Sequence, residues 1–276
     1  MKPTAAIILA CALAAGGCAS PEPAYDRTPA PRDQPSPGAA PERTHPRPRP
    51  IEESFEFIAM APGLRVDAAA RVVEFDSRVA TDVHHPDTPV VYLEVLVCSA
   101  DTREHESLVV TDVAPSLVHA AMLAAGFFPG APGAVTMTRA GEVTRRDPTG
   151  EPVRVEFFVE SADTPGPIEP AAWVIDADTR TSLVESPAWD GYVFAGSVVR
   201  ERAGRTWYGA DGEGTIVGLA TFGTETIAPT ITFSHESRVD APTWIARREA
   251  IPAVGTPVRV RLSPADAGAL SDPDGA

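Results

Sequence analysis

The sequence predicts an α+β fold that is predominantly antiparallel β, with one short buried helix at about residues 115–125. Apolar and β-branched runs of strand length recur between Gly, Pro and Asp residues, as in strands joined by turns. Short turn sequences such as DPTGE and GADGEG indicate that neighbouring strands are antiparallel. Only the segment PSLVHAAMLAAG combines an apolar helical run with the residues that begin and end a helix.

The first 17 residues are predicted to be a lipoprotein signal peptide. Lys2 precedes an apolar run that ends in small residues, as in an export signal. The run is shorter than the roughly 20 apolar residues that cross a bilayer. The segment LAAGGC, which ends at Cys18, resembles the lipobox of bacterial lipoproteins. By that resemblance Cys18 is the lipidation site, and Ala19 favours a location at the outer membrane or the periplasmic face of the envelope.

Residues 18–50 are predicted to be the acylated cysteine followed by a disordered tether. The segment is rich in proline and has almost no large apolar side chain, so it cannot bury a core. Proline-rich chains extend by about 3.1 Å per residue, so the tether would reach several tens of ångströms. We therefore expect the membrane to be a partner through the lipid anchor, with the folded domain held away from the lipid surface.

Residues 51–263 are predicted to be a β-rich domain and residues 264–276 a flexible tail. The candidate strands are SFEFIAM, ARVVEFDS, VVYLEVLVC, SLVVTDV, PVRVEFFVE, GYVFAGSVV, TIVGLATF, TITFS and TPVRVRL. In PVRVEFFVE, apolar residues occupy every second position from Val153 onward. This alternation predicts a strand with one buried and one solvent-facing side.

Charge and composition exclude several classes of function. Six of the 23 Lys and Arg residues and four of the 38 acidic residues precede Ile51, so residues 51–276 carry a formal charge of −17. Such a surface repels a phosphate backbone, so we expect no nucleic-acid partner. Lys2 is the only lysine, which leaves the mature chain without lysine chemistry. Once Cys18 is acylated, Cys98 is the sole thiol, so the chain is predicted to hold no iron–sulfur cluster.

The predicted helix contains one large polar side chain, His119. Pro115 suits the first helical turn, and Gly126 suits the left-handed position after the end of the helix. On a helical wheel the apolar side chains point in widely separated directions, which predicts a core helix with no solvent face. His119 then needs a hydrogen-bond partner, because burial of an unpaired polar group costs a few kcal/mol.

The candidate functional or buried polar cluster consists of Cys98, His105, Glu106, Ser107 and His119. In a first interpretation HESLVV is a strand and Glu106 hydrogen-bonds His119, which fixes the helix on the sheet without any cofactor. In a second, Cys98, His105 and His119 bind zinc or copper, since thiolate and imidazole suit those metals. In a third, Ser107 or Cys98 is a nucleophile and His119 is its base, although no glycine-flanked nucleophile turn is present.

Four segments follow one another as EHESLVVTDVAPSLVHAAMLAAG, AAWVIDADTRTSLVESPAWDGYVFAGSVV, WYGADGEGTIVGL and EAIPAVGTPVRVRL. From roughly Gly63 to Leu262 the chain resembles the YdjY family of exported bacterial proteins, which are often lipoproteins in planctomycetes. The residues that carry the resemblance are His105, Glu106, Ser107, Pro115, His119, Gly126, Trp189, Gly196, Ser197, Asp211 and Gly214. Some relatives are described as ferredoxin-like, but this chain lacks the cysteines of such a protein.

The leading hypothesis from the sequence is a lipid-anchored envelope lipoprotein that acts as a binding or structural module without turnover. Under this hypothesis no residue is assigned as catalytic and no cofactor is expected, and the partner is an envelope protein or a small molecule. The alternative is a metal-dependent or hydrolytic envelope enzyme centred on His105, Glu106 and His119, with Cys98 as a possible metal ligand.

Overall fold

The computed structural model describes residues 55–159 and 166–265, all of which belong to one compact unit, Glu52–Ala276. The predicted signal peptide, the lipidation site Cys18 and the predicted tether lie outside the described residues. Of the predicted tail, Pro264 is the last residue of a strand, and residues 266–276 also lie outside. Among the described residues, no helix is long and apolar enough to span a membrane.

The described residues form strands, two short α-helices and three 3-10 turns. The strands are β1 (Ile58–Ala61), β2 (Leu64–Asp67), β3 (Val72–Val79), β4 (Val95–Ser99), β5 (Ser107–Thr111), β6 (Pro129–Ala131), β7 (Ala134–Met137), β8 (Val143–Arg146), β9 (Thr149–Gly150), β10 (Pro152–Val159), β11 (Val174–Asp176), β12 (Tyr192–Phe194), β13 (Val199–Arg202), β14 (Arg205–Tyr208), β15 (Thr215–Gly218), β16 (Ile227–Pro229), β17 (Trp244–Ala246) and β18 (Pro257–Pro264). The helices are α1 (Pro115–Ala124) and α2 (Gly209–Glu213), and the 3-10 turns are η1 (Glu104–Glu106), η2 (Pro170–Trp173) and η3 (Leu183–Glu185).

Eight of these strands close into a barrel. The ring runs β3, β18, β10, β12, β16, β15, β4 and β5, and β5 pairs back onto β3. Six of its eight pairings are antiparallel, whereas β4–β5 and β15–β16 are parallel. The prediction of a mostly antiparallel β fold is confirmed, but the two parallel pairs make the barrel mixed.

The long strands β10 and β18 show why the barrel has a filled interior. Along β10, from Val153 to Val159, every second side chain is buried, as the alternation in the sequence predicts. The buried residues of β10 face buried residues of β18 in register, with Phe157 opposite Val260. Such inward-facing side chains fill a barrel of this size and form its hydrophobic core.

The helix α1 packs against β2, β3, β15 and the second helix α2. Val118, Ala121 and Met122 are buried, but Leu117 and Leu123 are exposed. The prediction that this helix has no solvent face was therefore wrong, and α2 is a second helix that was not predicted. The packing covers one side of α1 only, so the other side of the helix faces solvent.

Both ends of α1 form as the sequence predicts. Pro115 lies in the first turn, and Gly126 follows the end of the helix with φ +79°. The Gly126 N–H donates to the Leu123 carbonyl and the Phe127 N–H to the Met122 carbonyl, which is the Schellman arrangement. These local bonds fix the direction of the chain as it leaves α1.

Candidate functional site

The structure divides the predicted polar cluster into separate parts. His105 and Glu106 lie in the 3-10 turn η1, and the strand begins only at Ser107, so the prediction of one HESLVV strand was wrong at its start. The carboxylate of Glu104 fixes the segment that leads into this turn, because it accepts hydrogen bonds from the Asp101 and Thr102 backbone N–H groups. The His105 side chain is 77% exposed and has no role in packing the core.

Glu106 pairs with Arg103, not with His119, so the predicted Glu106–His119 hydrogen bond was wrong. Arg103 Nη1 lies 2.5 Å from Glu106 Oε1, and its Nη2 lies 3.2 Å from Glu213 Oε2. The guanidinium also lies over the Phe222 ring at 4.1 Å. Burial, and then the neighbouring Glu106 carboxylate, raise the pKa of Glu94 beside this group. Arg103 therefore joins η1 to α2 and offsets a cluster of acids.

The two predicted nucleophiles, Cys98 and Ser107, are fully buried in β4 and β5. Burial raises the pKa of the Cys98 thiol, which disfavours the reactive thiolate. Ser107 donates its hydroxyl proton to the Val109 carbonyl at 2.9 Å. Within the described ranges, no three His, Cys, Asp or Glu side chains are grouped so that they could hold a metal ion. The structure therefore does not assemble the Cys98, His105 and His119 metal site.

His119 instead bonds to residues that sequence reasoning did not single out. Its Nδ1 lies 2.9 Å from the hydroxyl oxygen of Tyr208, at the end of β14. The same hydroxyl lies 3.1 Å from the Gly196 carbonyl oxygen and 3.1 Å from Thr226 Oγ1. The rings of Phe194 and Tyr208 meet the imidazole edge-on. We call His119, Tyr208, Thr226 and the Gly196 carbonyl the His119 site.

Two consecutive residues with left-handed backbone shape this site. Gly196 has φ +77° and Ser197 has φ +56°. A Cβ atom on Gly196 would lie 2.6 Å from Pro129 Cβ and 3.2 Å from His119 Cε1, so only glycine fits. Ser197 Oγ accepts a hydrogen bond from the Ala210 N–H in the first turn of α2. A non-glycine residue in this conformation stores strain, as is frequent at binding and catalytic sites.

The helix that carries His119 is joined to α2 by Asp211, whose Oδ1 accepts a hydrogen bond from the Ser116 N–H at 2.8 Å. Of the residues of the family resemblance, His119 and Gly196 belong to the His119 site, while Ser197 and Asp211 bond to the neighbouring helices α2 and α1. A family model described as the YdjY domain matches residues 64–263. The chain belongs to the YdjY family. No curated protein and no solved structure matches it.

In the YdjY domain the His119 site is neutral near pH 7. Burial lowers the pKa of His119, and burial raises the pKa of Tyr208 to about 12. The Gly196 carbonyl can only accept, so we assign the Tyr208 proton to it and the His119 Nδ1 proton to the Tyr208 oxygen. This tautomer leaves the lone pair of Nε2 as an acceptor.

Nε2 of His119 is not fully buried. No hydrogen-bond partner of this atom occurs in the described part of the YdjY domain. The elements that carry the site also carry exposed apolar side chains. Leu123, which is 47% exposed, follows His119 by one helical turn, and Val199, which is 72% exposed, lies directly opposite Tyr208 in the β13–β14 hairpin. Pro129 adds a further wall beside Gly196.

We predict that Tyr208→Phe lowers the unfolding free energy by about 1–3 kcal/mol, because His119 Nδ1 and the Gly196 carbonyl both lose their partner in a half-buried place. Urea denaturation of residues 52–276 measures the change. Tyr92→Phe is the matched control, because Tyr92 is exposed, and we expect it to change the stability by less than about 0.5 kcal/mol. Equal losses in the two variants would contradict the assigned network.

Proposed function

We propose that the chain is a lipid-anchored envelope lipoprotein whose YdjY domain binds a partner through the His119 site without chemical turnover. The observation that supports binding is one neutral hydrogen-bond acceptor without a partner among the described residues, His119 Nε2, on a helix that also carries the exposed side chain of Leu123. Binding sites commonly combine an apolar surface with a few placed polar groups. The geometry suits a partner group that has one N–H or O–H donor on an apolar body.

The lack of turnover rests on the arrangement of the candidate reactive groups. Cys98 and Ser107 are fully buried, and His105 projects into solvent from η1. In the His119 site the Tyr208 hydroxyl bonds to Thr226 Oγ1 and to the Gly196 carbonyl. The site therefore offers recognition by shape and by one hydrogen bond.

Small probes test this function directly. Isotopically labelled residues 52–276 are titrated with benzyl alcohol and benzamide, which have a donor on an apolar ring, and with toluene, which has none. We expect saturable shifts of the His119 imidazole and the Leu123 and Val199 methyl signals with the first two probes, and weaker binding of toluene. Both donor probes should be recovered chemically unchanged.

Two variants locate the binding. Leu123→Ser should weaken binding by several-fold, because it removes apolar contact area at the rim. Val184→Ser is the matched control, because Val184 is 46% exposed in η3, far along the chain from α1. Signals around His119 that respond to none of the probes would refute the proposed site. Conversion of a probe that depends on His119 would instead establish the enzyme alternative.

The lipid anchor gives a separate prediction. With Cys18→Ala the protein is expected to move from the membrane fraction to the soluble envelope fraction, because the acylated residue is lost. Mass spectrometry of the native N-terminal peptide should find the acyl groups on Cys18. Cys11→Ala is the control and should leave the protein in the membrane fraction. Retention of the Cys18→Ala variant at the membrane would contradict lipid anchoring at this position.

A further inference from the structure

A cavity of the domain lies between the β3–β4 connection and β17, and it is lined by none of the residues of the His119 site. Its volume is about 200 Å³. Val83, Val91 and Ile245 form apolar walls, while Thr81, Arg180 and Arg248 supply its polar groups. An apolar cavity of roughly 150 Å³ accommodates benzene, so this one has room for a small organic molecule.

The cavity is formed by connections that the fold holds in place. Segment 88–93 lies beside β17, with the Leu93 N–H donating to the Trp244 carbonyl and Tyr92 bridged to Ile245. Arg248 Nη2 donates to the His84 carbonyl at 3.0 Å, and His84 Nε2 lies 2.7 Å from the Ile251 carbonyl oxygen. Both walls are therefore fixed without a ligand.

The charge of the cavity is opposite to that of the domain. Residues 51–276 carry a formal charge of −17, yet no carboxylate lines this cavity and two arginines do. Among the described residues, neither Arg180 nor Arg248 has an ion-pair partner. The Arg180 backbone is held at φ +62° by a turn in which its N–H donates to the Asp176 carbonyl. Unpaired guanidinium groups beside an apolar wall favour an anion with an apolar body.

An inner hydroxyl gives an independent indication of a ligand. Thr81 lines the cavity and is only 7% exposed. Its Oγ1 has no hydrogen-bond partner within the described parts of the chain. The oxygen atom itself is not fully buried. A nearly buried hydroxyl that remains open to the cavity is available to a ligand oxygen.

We propose that this cavity binds a small organic carboxylate, with the carboxylate at Arg180 and Arg248, its apolar body against Val83, Val91 and Ile245, and one oxygen within reach of Thr81. This cavity shares no residue with the His119 site, so the binding proposal for one site can be refuted while the proposal for the other stands. The carboxylate belongs to a free acid or to the C-terminus of a short peptide with an apolar last residue.

Calorimetric titration of residues 52–276 with hexanoate tests the proposal. We expect saturable binding that is at least about tenfold tighter than that of 1-hexanol, which has the same chain and no charge. Arg180→Gln with Arg248→Gln should weaken hexanoate binding at least about tenfold, and Thr81→Val should weaken it several-fold. The control variant with Arg139→Gln and Arg202→Gln removes the same charge at exposed positions. It should change the affinity for hexanoate by less than about twofold.

The results of these titrations distinguish a free acid from a peptide C-terminus as the ligand. They also distinguish binding in this cavity from binding at the His119 site. If N-acetyl-Ala-Leu binds and hexanoate does not, and if the variant with Arg180→Gln and Arg248→Gln loses this binding, the ligand is the C-terminus of a peptide. Leu123→Ser should leave hexanoate affinity unchanged. No saturable binding of either carboxylate, equal binding of 1-hexanol, or equal loss in both arginine pairs would overturn the proposal.

Discussion

The Gly196→Ala variant is expected to lose about 2–5 kcal/mol of unfolding free energy. Its backbone has φ +77°, which is unfavourable for a residue with a Cβ. The added methyl group would lie 2.6 Å from Pro129 Cβ, and the pyrrolidine ring cannot turn away as a flexible side chain would. It would also press on the His119 imidazole, at 3.2 Å from Cε1. Urea denaturation of residues 52–276 measures the loss.

Gly204→Ala separates the two causes. Gly204 has a similar φ of +72°, but a Cβ there would meet no atom within 4 Å. We therefore expect this control to lose only the conformational part, about 1–2 kcal/mol. The His119 ring signals should shift in Gly196→Ala and remain in place in Gly204→Ala. Equal losses with an undisturbed His119 would show that Gly196 does not shape the site.

A second large effect is expected from Glu169, which lies just before η2. Burial, and then the Glu156 carboxylate, raise the pKa of Glu169 from 4.5 to about 7. The folded state therefore binds a proton at Glu169 that the unfolded chain releases at lower pH. The stability from this group is complete below about pH 4.5 and is lost as the pH rises through about 7.

Glu169→Gln removes this dependence, because glutamine stays neutral. At pH 4 the variant and the wild type should have similar stability, whereas at pH 8 the variant should be more stable by about 1–3 kcal/mol. Urea denaturation at both pH values gives the comparison. Glu201→Gln, at an exposed position of β13, controls for the general loss of one carboxylate. A constant difference between the Glu169 variant and the wild type across this range would show that Glu169 is ionised throughout in the folded domain.

Local features of the fold could be predicted from the sequence because their causes lie within a few residues. The cap of α1 depends on Gly126 and its immediate neighbours, and the pattern of β10 depends on side chains that alternate about the strand. Closure of the barrel depends on pairing between β3 and β5 and on two parallel pairs, which leave no local sign. The exposed side of α1 follows from tertiary packing that covers only one side of the helix.

The candidate site could be predicted only in part for the same reason. His119 stands out in its helix, but its partner Tyr208 lies 89 residues away along the chain. Tyr208 occurs in the segment WYGADGEG, which signals a turn and belongs to the family resemblance, and these were the only signs of it. Glu106 was misplaced because it lies in the 3-10 turn η1, closed by the Ser107 N–H and the Glu104 carbonyl, where the pattern suggested a strand.

The most direct test of the central claim is the long-range ¹H–¹⁵N spectrum of the His119 imidazole at pH 7. An open acceptor at Nε2, held in place by Tyr208, requires a neutral ring with its proton on Nδ1, and the spectrum should show this form. In Tyr208→Phe the same signals should move toward a mixture of tautomers. A ring that is protonated at pH 7, or that carries its proton on Nε2, would contradict the account.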